Sequence, residues 1–210
     1  MINFSSIKTI QEDIAKYNSS ADLMIVTKKQ SVADIEKLII NHFIVLGENR
    51  VQEAKTKYLH LRNKYDFNLH LIGHLQTNKV FEALKLFNCI QSIDRKKLVD
   101  EIVKHINKSE VITQKFFIEV NLGDEAQKSG IRIPELKDFY EYCILKNMPI
   151  EGLMCIPPVQ DKPSNSFKKM LLIRDNLSPK LKLSMGMSSD YIDALKNQSN
   201  LIRVGSMIFS

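Results

Sequence analysis

Residues 43–72 read FIVLGENRVQEAKTKYLHLRNKYDFNLHLI, an apolar run, a short polar break, a longer amphipathic stretch and a second apolar run. Val51, Ala54, Tyr58 and Leu61 recur at helical spacing and share one face, whereas FIVL at 43–46 and LHLI at 69–72 are too short for buried helices and suit buried strands. The segment therefore predicts one strand–helix–strand unit, with its two strands parallel.

The same pattern extends in both directions. Apolar runs lie at 22–26, 89–93, 116–120, 151–156, 181–185 and 201–204, giving eight predicted strands in all. Between them, Leu98, Ile102 and Ile106 share a helical face, as do Leu136, Phe139, Tyr140 and Cys143, and Pro134 suits the first position of its helix. Ahead of the first strand, Phe4, Ile7, Ile10, Ile14 and Tyr17 predict an extra N-terminal helix. Near-continuous apolar strands alternating with helices imply a parallel sheet covered by helices. Eight such units in 210 residues sit at the lower end of the (β/α)8 range. The expectation is an α/β protein, a single (β/α)8 TIM barrel forming one domain over residues 1–210. An open doubly wound sheet is the alternative, but neither GxGxxG nor GxxxxGK[ST] follows the first strand.

Composition narrows the function. A net charge of +6 permits an anionic partner. The lysines, however, are spread along every predicted helix with few aromatics among them, so a solvated surface is expected and nucleic-acid binding is not. No run approaches the roughly 20 apolar residues of a membrane span, and the N-terminal segment lacks a signal-peptide core. The three cysteines, Cys89, Cys143 and Cys155, sit in apolar runs away from metal-ligand or disulfide spacing. Together these features predict a cytoplasmic protein. His70 and His74 are the only close histidine pair, and His70 lies inside a predicted strand, so no metal site is expected.

In a barrel, residues just past each strand face one mouth, where the chemistry lies. After the first strand come Thr27, Lys28 and Lys29; after the second, Gly47 to Asn49; after the seventh, SMGMSSD at 184–190; after the eighth, RVGS at 203–206. Glycine turns and helix N-termini after strands seven and eight can cradle phosphate, although ordinary turns share that composition. Ser188 and Ser189 read as helix caps, and Asn49 suits a cap as well. Lys28 follows an apolar strand and is expected to point into the mouth, away from bulk water, where a lysine becomes a nucleophile toward carbonyls; Lys29 is expected to face solvent. A phosphate cradle and an activated amine suggest a phosphorylated aldehyde as ligand.

VTK at 26–28, LGENRVQEA at 46–54, HLIGHLQTNK at 70–79, SIDR at 92–95, KSGI at 128–131, GLM at 152–154, LSMGMSSD at 183–190 and IRVGSMIF at 202–209 together resemble the pyridoxal phosphate homeostasis proteins. Those are small barrels similar to the N-terminal domain of alanine racemase. The resemblance implies pyridoxal 5′-phosphate (PLP) as cofactor, held as an aldimine on Lys28. It implies that Ser184, Gly205 and Ser206 hold the phosphate with the backbone near Met185, that Arg203 faces the pyridine nitrogen, and that Asn49 lies beside the ring. It further implies cofactor buffering or delivery, with PLP-dependent apoenzymes as partners, a monomeric state and little or no turnover. The alternative is a PLP-dependent amino-acid racemase. An arginine at the ring nitrogen weakens the electron sink but tolerates racemisation, which also needs a second acid–base group. The six tyrosines mostly fit helix faces instead.

Overall fold

The apolar runs become strands because each pairs with its neighbour in parallel while burying both faces. The computed structural model describes residues 1–125 and 128–209. It contains β1 (Asp22–Val26), β2 (Val45–Glu48), β3 (Asn68–Leu71), β4 (Cys89–Ile93), β5 (Lys115–Asn121), β6 (Ile131–Arg132), β7 (Ile150–Cys155), β8 (Lys182–Ser184) and β9 (Leu201–Val204). Hydrogen bonding runs in the order β4-β3-β2-β1-β9-β8-β7-β5-β6, and β4 also pairs with β5. That last pairing closes eight strands into a barrel and leaves β6 as an appendage of β5, with Val120 opposite Ile131.

Alternation along each strand sorts the core into two regions. Ile25, Leu46, Leu69, Ile90, Ile118, Leu153, Leu183 and Ile202 join the large cluster shared with the helices, while Cys89, Phe117 and Met154 pack separately inside the barrel. Two glycines make that interior possible. A Cβ on Gly47 would press on Met24, and one on Gly152 would press on the Phe117 ring and the Lys182 carbonyl.

The outer layer is α2 (Val32–Ile40), α3 (Val51–Arg62), α4 (Val80–Leu86), α5 (Lys96–Val103), α6 (Leu136–Leu145), α7 (Pro163–Leu177) and α8 (Tyr191–Lys196), preceded in the chain by α1 (Phe4–Tyr17). The expected faces are buried: Val51, Ala54, Tyr58 and Leu61 on α3, and Leu136, Phe139 and Cys143 on α6. Ser31 starts α2 by accepting from the Asp34 N–H, while its own hydroxyl donates to the Asp34 carboxylate. Pro134 lies in a 3-10 turn just ahead of α6 rather than in the helix itself. The expected N-terminal helix fills the gap beyond β9 where a last crossover helix would lie. The Tyr191 hydroxyl donates to Asp13 at 2.7 Å, Asn18 Nδ2 donates to the Ser199 carbonyl at 2.9 Å, and Asn3 N donates to the Ile208 carbonyl at 2.8 Å.

Two details differ from the sequence expectation. β6 was not anticipated, because two residues carry no period. The second strand runs two residues later than 43–46, so Gly47 and Glu48 belong to β2, opposite His70 and Leu71. Only Asn49 of the GEN triplet therefore stands beyond the strand. Among the described residues no helix is long and apolar enough to cross a membrane.

Candidate functional site

The C-terminal ends of the strands surround a cavity of about 380 Å³. Val26, Ile72, Met154 and Ile156 form apolar walls, and Lys28, Asn49, Arg203, Gly205 and Ser206 supply the expected polar groups. A larger cavity of about 440 Å³ opens at the opposite mouth. It lies at the strand starts, away from the loops that carry barrel chemistry, and its Lys182 is already paired with Glu151 at 2.7 Å.

Lys28 reaches the cavity because strand alternation continues past β1. Val26 lines the cavity, and the Thr27 hydroxyl turns outward to Glu48 at 2.9 Å and Tyr58 at 2.5 Å. Lys28 turns inward again. It is exposed at the rim rather than withdrawn from water, contrary to expectation, because β1 ends two residues earlier and no loop folds over it. Lys29 adopts φ 64°, ending the strand, and does not line the cavity.

Asn49 is not a helix cap. The capping position of α3 is Arg50, and no side chain bonds the first turn there. One end of the Asn49 amide is buried without a hydrogen-bond partner at the cavity wall, which costs free energy unless a ligand completes it. Gly73 packs flat against the Asn49 main chain and sets its position.

Arg203, next to last in β9, has 3% of its surface exposed. Its Nη1 donates to the Ser184 hydroxyl at 3.0 Å and its Nη2 to the Cys155 carbonyl at 2.8 Å. Burial lowers the guanidinium pKa, opposed by the charges of Asp190 and Glu119.

Ser184 lies behind the cavity wall. Its hydroxyl is fully buried, does not line the cavity, and donates to Gln91 Oε1 at 2.7 Å while accepting from Arg203. These bonds orient Arg203. The Met185 side chain belongs to the core shared with the helices, and its N–H donates to the Leu201 carbonyl at 3.1 Å; the nearby segment that reaches the cavity is Met187 to Ser189. Ser184 and Met185 both sit one level deeper in the barrel.

The cavity wall comes instead from the next turn. Ser188 and Ser189 line it. They were expected as caps, but Asp190 takes the capping position of α8, and its carboxylate accepts the Met187 N–H at 2.6 Å. The N–H groups of Ser188, Ser189 and Ser206 have no partner among the described residues. At Gly205 a Cβ would lie 3.1 Å from the Val26 carbonyl and 3.3 Å from the Val26 Cβ, so the close approach of β9 to β1 favours glycine. Unpaired backbone donors on a glycine turn make a natural anion cradle.

Behind Arg203 the hydrogen bonds continue through the barrel. Gln91 Nε2 lies 2.8 Å from His70 Nδ1, and an amide nitrogen can only donate, so His70 is neutral with its proton on Nε2. Burial, with the charge of Lys115 adding to it, pushes His70 down to about 4. On β5, Glu119 stands in register with Met154, and its carboxylate makes no hydrogen bond or ion pair among the described residues. Burial raises its carboxyl to about 7, with Asp94 adding and Arg203 opposing.

These two groups load stability in opposite directions. The unfolded chain binds the His70 proton first, so that contribution is full above 6.5 and is lost as pH falls toward about 4. The unfolded chain releases the Glu119 proton first, so that contribution is present below 4.5 and is lost as pH rises through about 7. Thermal melts of Glu119→Gln against the parent should show a gain that grows as pH rises across this second window. A gain independent of pH would remove Glu119 from the account.

Among the described residues, no Tyr, His, Cys, Asp or Glu lines the cavity; Lys28 and Arg203 are its ionisable groups. His74 lies outside it, half-exposed and 3.4 Å from Asp94. No metal-binding group of His, Cys, Asp or Glu occurs among the described residues, and the three cysteines are buried and free.

The cavity thus offers one amine, one orphaned amide, unpaired backbone donors and one buried cation. The sequence matches the family described as "Alanine racemase, N-terminal domain" over residues 5–210. The pyridoxal phosphate homeostasis protein of Aquifex aeolicus is 40% identical over 174 residues, spanning 79% of this chain and 75% of that protein. PipY of Synechococcus elongatus PCC7942, solved without PLP, superposes with a TM-score of 0.87 at 27% identity, covering 98% of this chain and 99% of that one. The same protein with PLP bound gives 0.77 at 28% identity, covering 96% and 100%.

Proposed function

Because the chain belongs to the alanine racemase N-terminal domain family, and within it to the pyridoxal phosphate homeostasis proteins, we propose that it binds PLP and buffers or delivers it. When bound, the cofactor supplies an electrophilic aldehyde carbon and an electron-withdrawing ring. Lys28 Nζ would hold that carbon covalently, the aldehyde oxygen leaving as water. The N–H groups of Ser188, Ser189 and Ser206 would hold the phosphate at the Gly205 turn, Arg203 would donate to the ring nitrogen, and the Asn49 amide would find its missing partner at the ring edge. Ser184 and Gln91 keep Arg203 in place. Arg203 holds a hydrogen bond rather than giving up a proton, so the ring stays a weak electron sink.

One observation carries the view that this is a carrier rather than a catalyst. Among the described residues the cavity holds no ionisable group besides Lys28 and Arg203, so the opposite face of a bound amino acid has no acid–base partner among them, which racemisation requires. The exposed rim and the apolar walls suit reversible loading and hand-over to PLP-dependent apoenzymes. The carrier reading takes the chain as a monomer acting as one domain over residues 1–210. Free buried cysteines suit a reducing cytoplasm.

The test is to add PLP to the purified protein, follow a band near roughly 420 nm that borohydride bleaches, and assay alanine and serine for racemisation. The band without turnover is the expected result. Racemisation at about 1 s⁻¹ or faster would overturn the carrier reading, and a protein that never takes up PLP would overturn the whole proposal.

A further inference from the structure

Two acidic residues of the LGENRVQEA stretch, Glu48 and Glu53, do not line the cavity, yet they converge with Lys57 directly behind Lys28. Lys57 Nζ lies 3.1 Å from Glu48 Oε1, 2.6 Å from Glu53 Oε1 and 3.0 Å from the Thr27 carbonyl oxygen. Only 8% of Lys57 is exposed, and Glu48 is fully buried. Glu53 Oε1 also accepts the Lys29 N–H at 2.6 Å, and Glu48 Oε1 accepts the Thr27 hydroxyl at 2.9 Å.

The residues on both sides of Lys28 are therefore tied to α3, Thr27 through its carbonyl and hydroxyl, Lys29 through its N–H. The Lys28 side chain makes no ion pair among the described residues. Lys29 stands in the left-handed region at φ 64°, a conformation a lysine adopts only when its surroundings impose it. A charged pair buried on the outside of the barrel wall is expensive to desolvate unless further hydrogen bonds complete it. Here the further bonds go to the turn that carries the cavity amine.

We propose that Lys57 and Glu53 are positioning residues that hold the Thr27–Lys28–Lys29 turn so that Lys28 Nζ is aimed into the cavity before PLP arrives. This rests on the PLP reading above. The clamp removes the ordering that the turn would otherwise undergo during bond formation, so its loss slows loading.

The experiment compares the parent, Glu53→Ala and Lys57→Met, with two readouts on each. Amide hydrogen exchange of the PLP-free protein reports the Lys29 N–H, and stopped-flow absorption reports PLP loading. Glu53 is partly exposed, so its variant is expected to fold even where Lys57→Met, which strands Glu48, does not. The expected result is faster exchange at Lys29 in Glu53→Ala, unchanged exchange in distant α7, and loading slowed by about tenfold to a hundredfold. Loading at the parental rate with a freed Lys29 amide would overturn the proposal, as would Lys29 exchange that does not respond to Glu53→Ala. A parent that takes up no PLP at all would instead overturn the function from which the inference starts.

Discussion

Lys28→Ala should abolish both the visible band and the borohydride-fixed mass increment, while the PLP-free protein melts at the parental temperature. The two halves of this expectation have separate causes. Lys28 is exposed and makes no ion pair among the described residues, so its loss falls within the roughly ±0.5 kcal/mol of an ordinary surface substitution. It is also the one amine among the described residues that lines the cavity. The phosphate and ring contacts remain in the variant, so PLP should still bind, weakly and reversibly, and be seen by equilibrium dialysis. Retention of a borohydride-fixed adduct would place the reactive amine elsewhere on this lysine-rich chain. Loss of thermal stability would mean that Lys28 supports the fold, which its surroundings give no reason to expect.

Gly73→Ala should lower stability and PLP affinity together. A Cβ there would lie 2.9 Å from the Asn49 carbonyl carbon and Cα, and closer still to the carbonyl oxygen. These are main-chain atoms, so no rotamer change relieves the clash. The cost of such overpacking is about 1–3 kcal/mol, which in a chain of this size lowers the melting temperature by roughly 2–12 °C. The displaced segment carries Asn49, so PLP affinity should fall along with stability. Thermal melts with and without PLP check both. Parental stability would show that the Asn49 main chain yields more easily than its packing suggests.

The barrel was legible in the sequence because parallel strands buried on both faces announce themselves as short apolar runs, and the helices between them keep one apolar face. The site was legible in part for the same reason. Lys28, Asn49, Arg203, Gly205 and Ser206 follow strand ends, and strand ends meet at one mouth. Ser184 and Met185 lie behind the cavity wall, which the sequence does not reveal because a run of apolar letters does not show where β8 stops. β8 ends at Ser184 itself, so the residues free to meet a ligand come after Gly186. Ser188 and Ser189 looked like caps because serine caps well, but Asp190 occupies the capping position, and its carboxylate turns back to the Met187 N–H. Lys57 was invisible for a different reason. A lysine on a helix is ordinarily solvated, and only the three-dimensional meeting of β2, α3 and the Lys28 turn buries this one.

The chain of hydrogen bonds from Arg203 through Ser184 and Gln91 to His70 has a direction: each group donates to the next, and the last accepts on Nδ1. A directed chain cannot be edited one link at a time. Replacing Gln91 by an apolar residue of similar size would strand a buried hydroxyl and a buried imidazole at once, whereas replacing all the links together could leave a dry, fully paired interior. These four positions are therefore one heritable unit, and a lineage that alters one should be found to have altered the others.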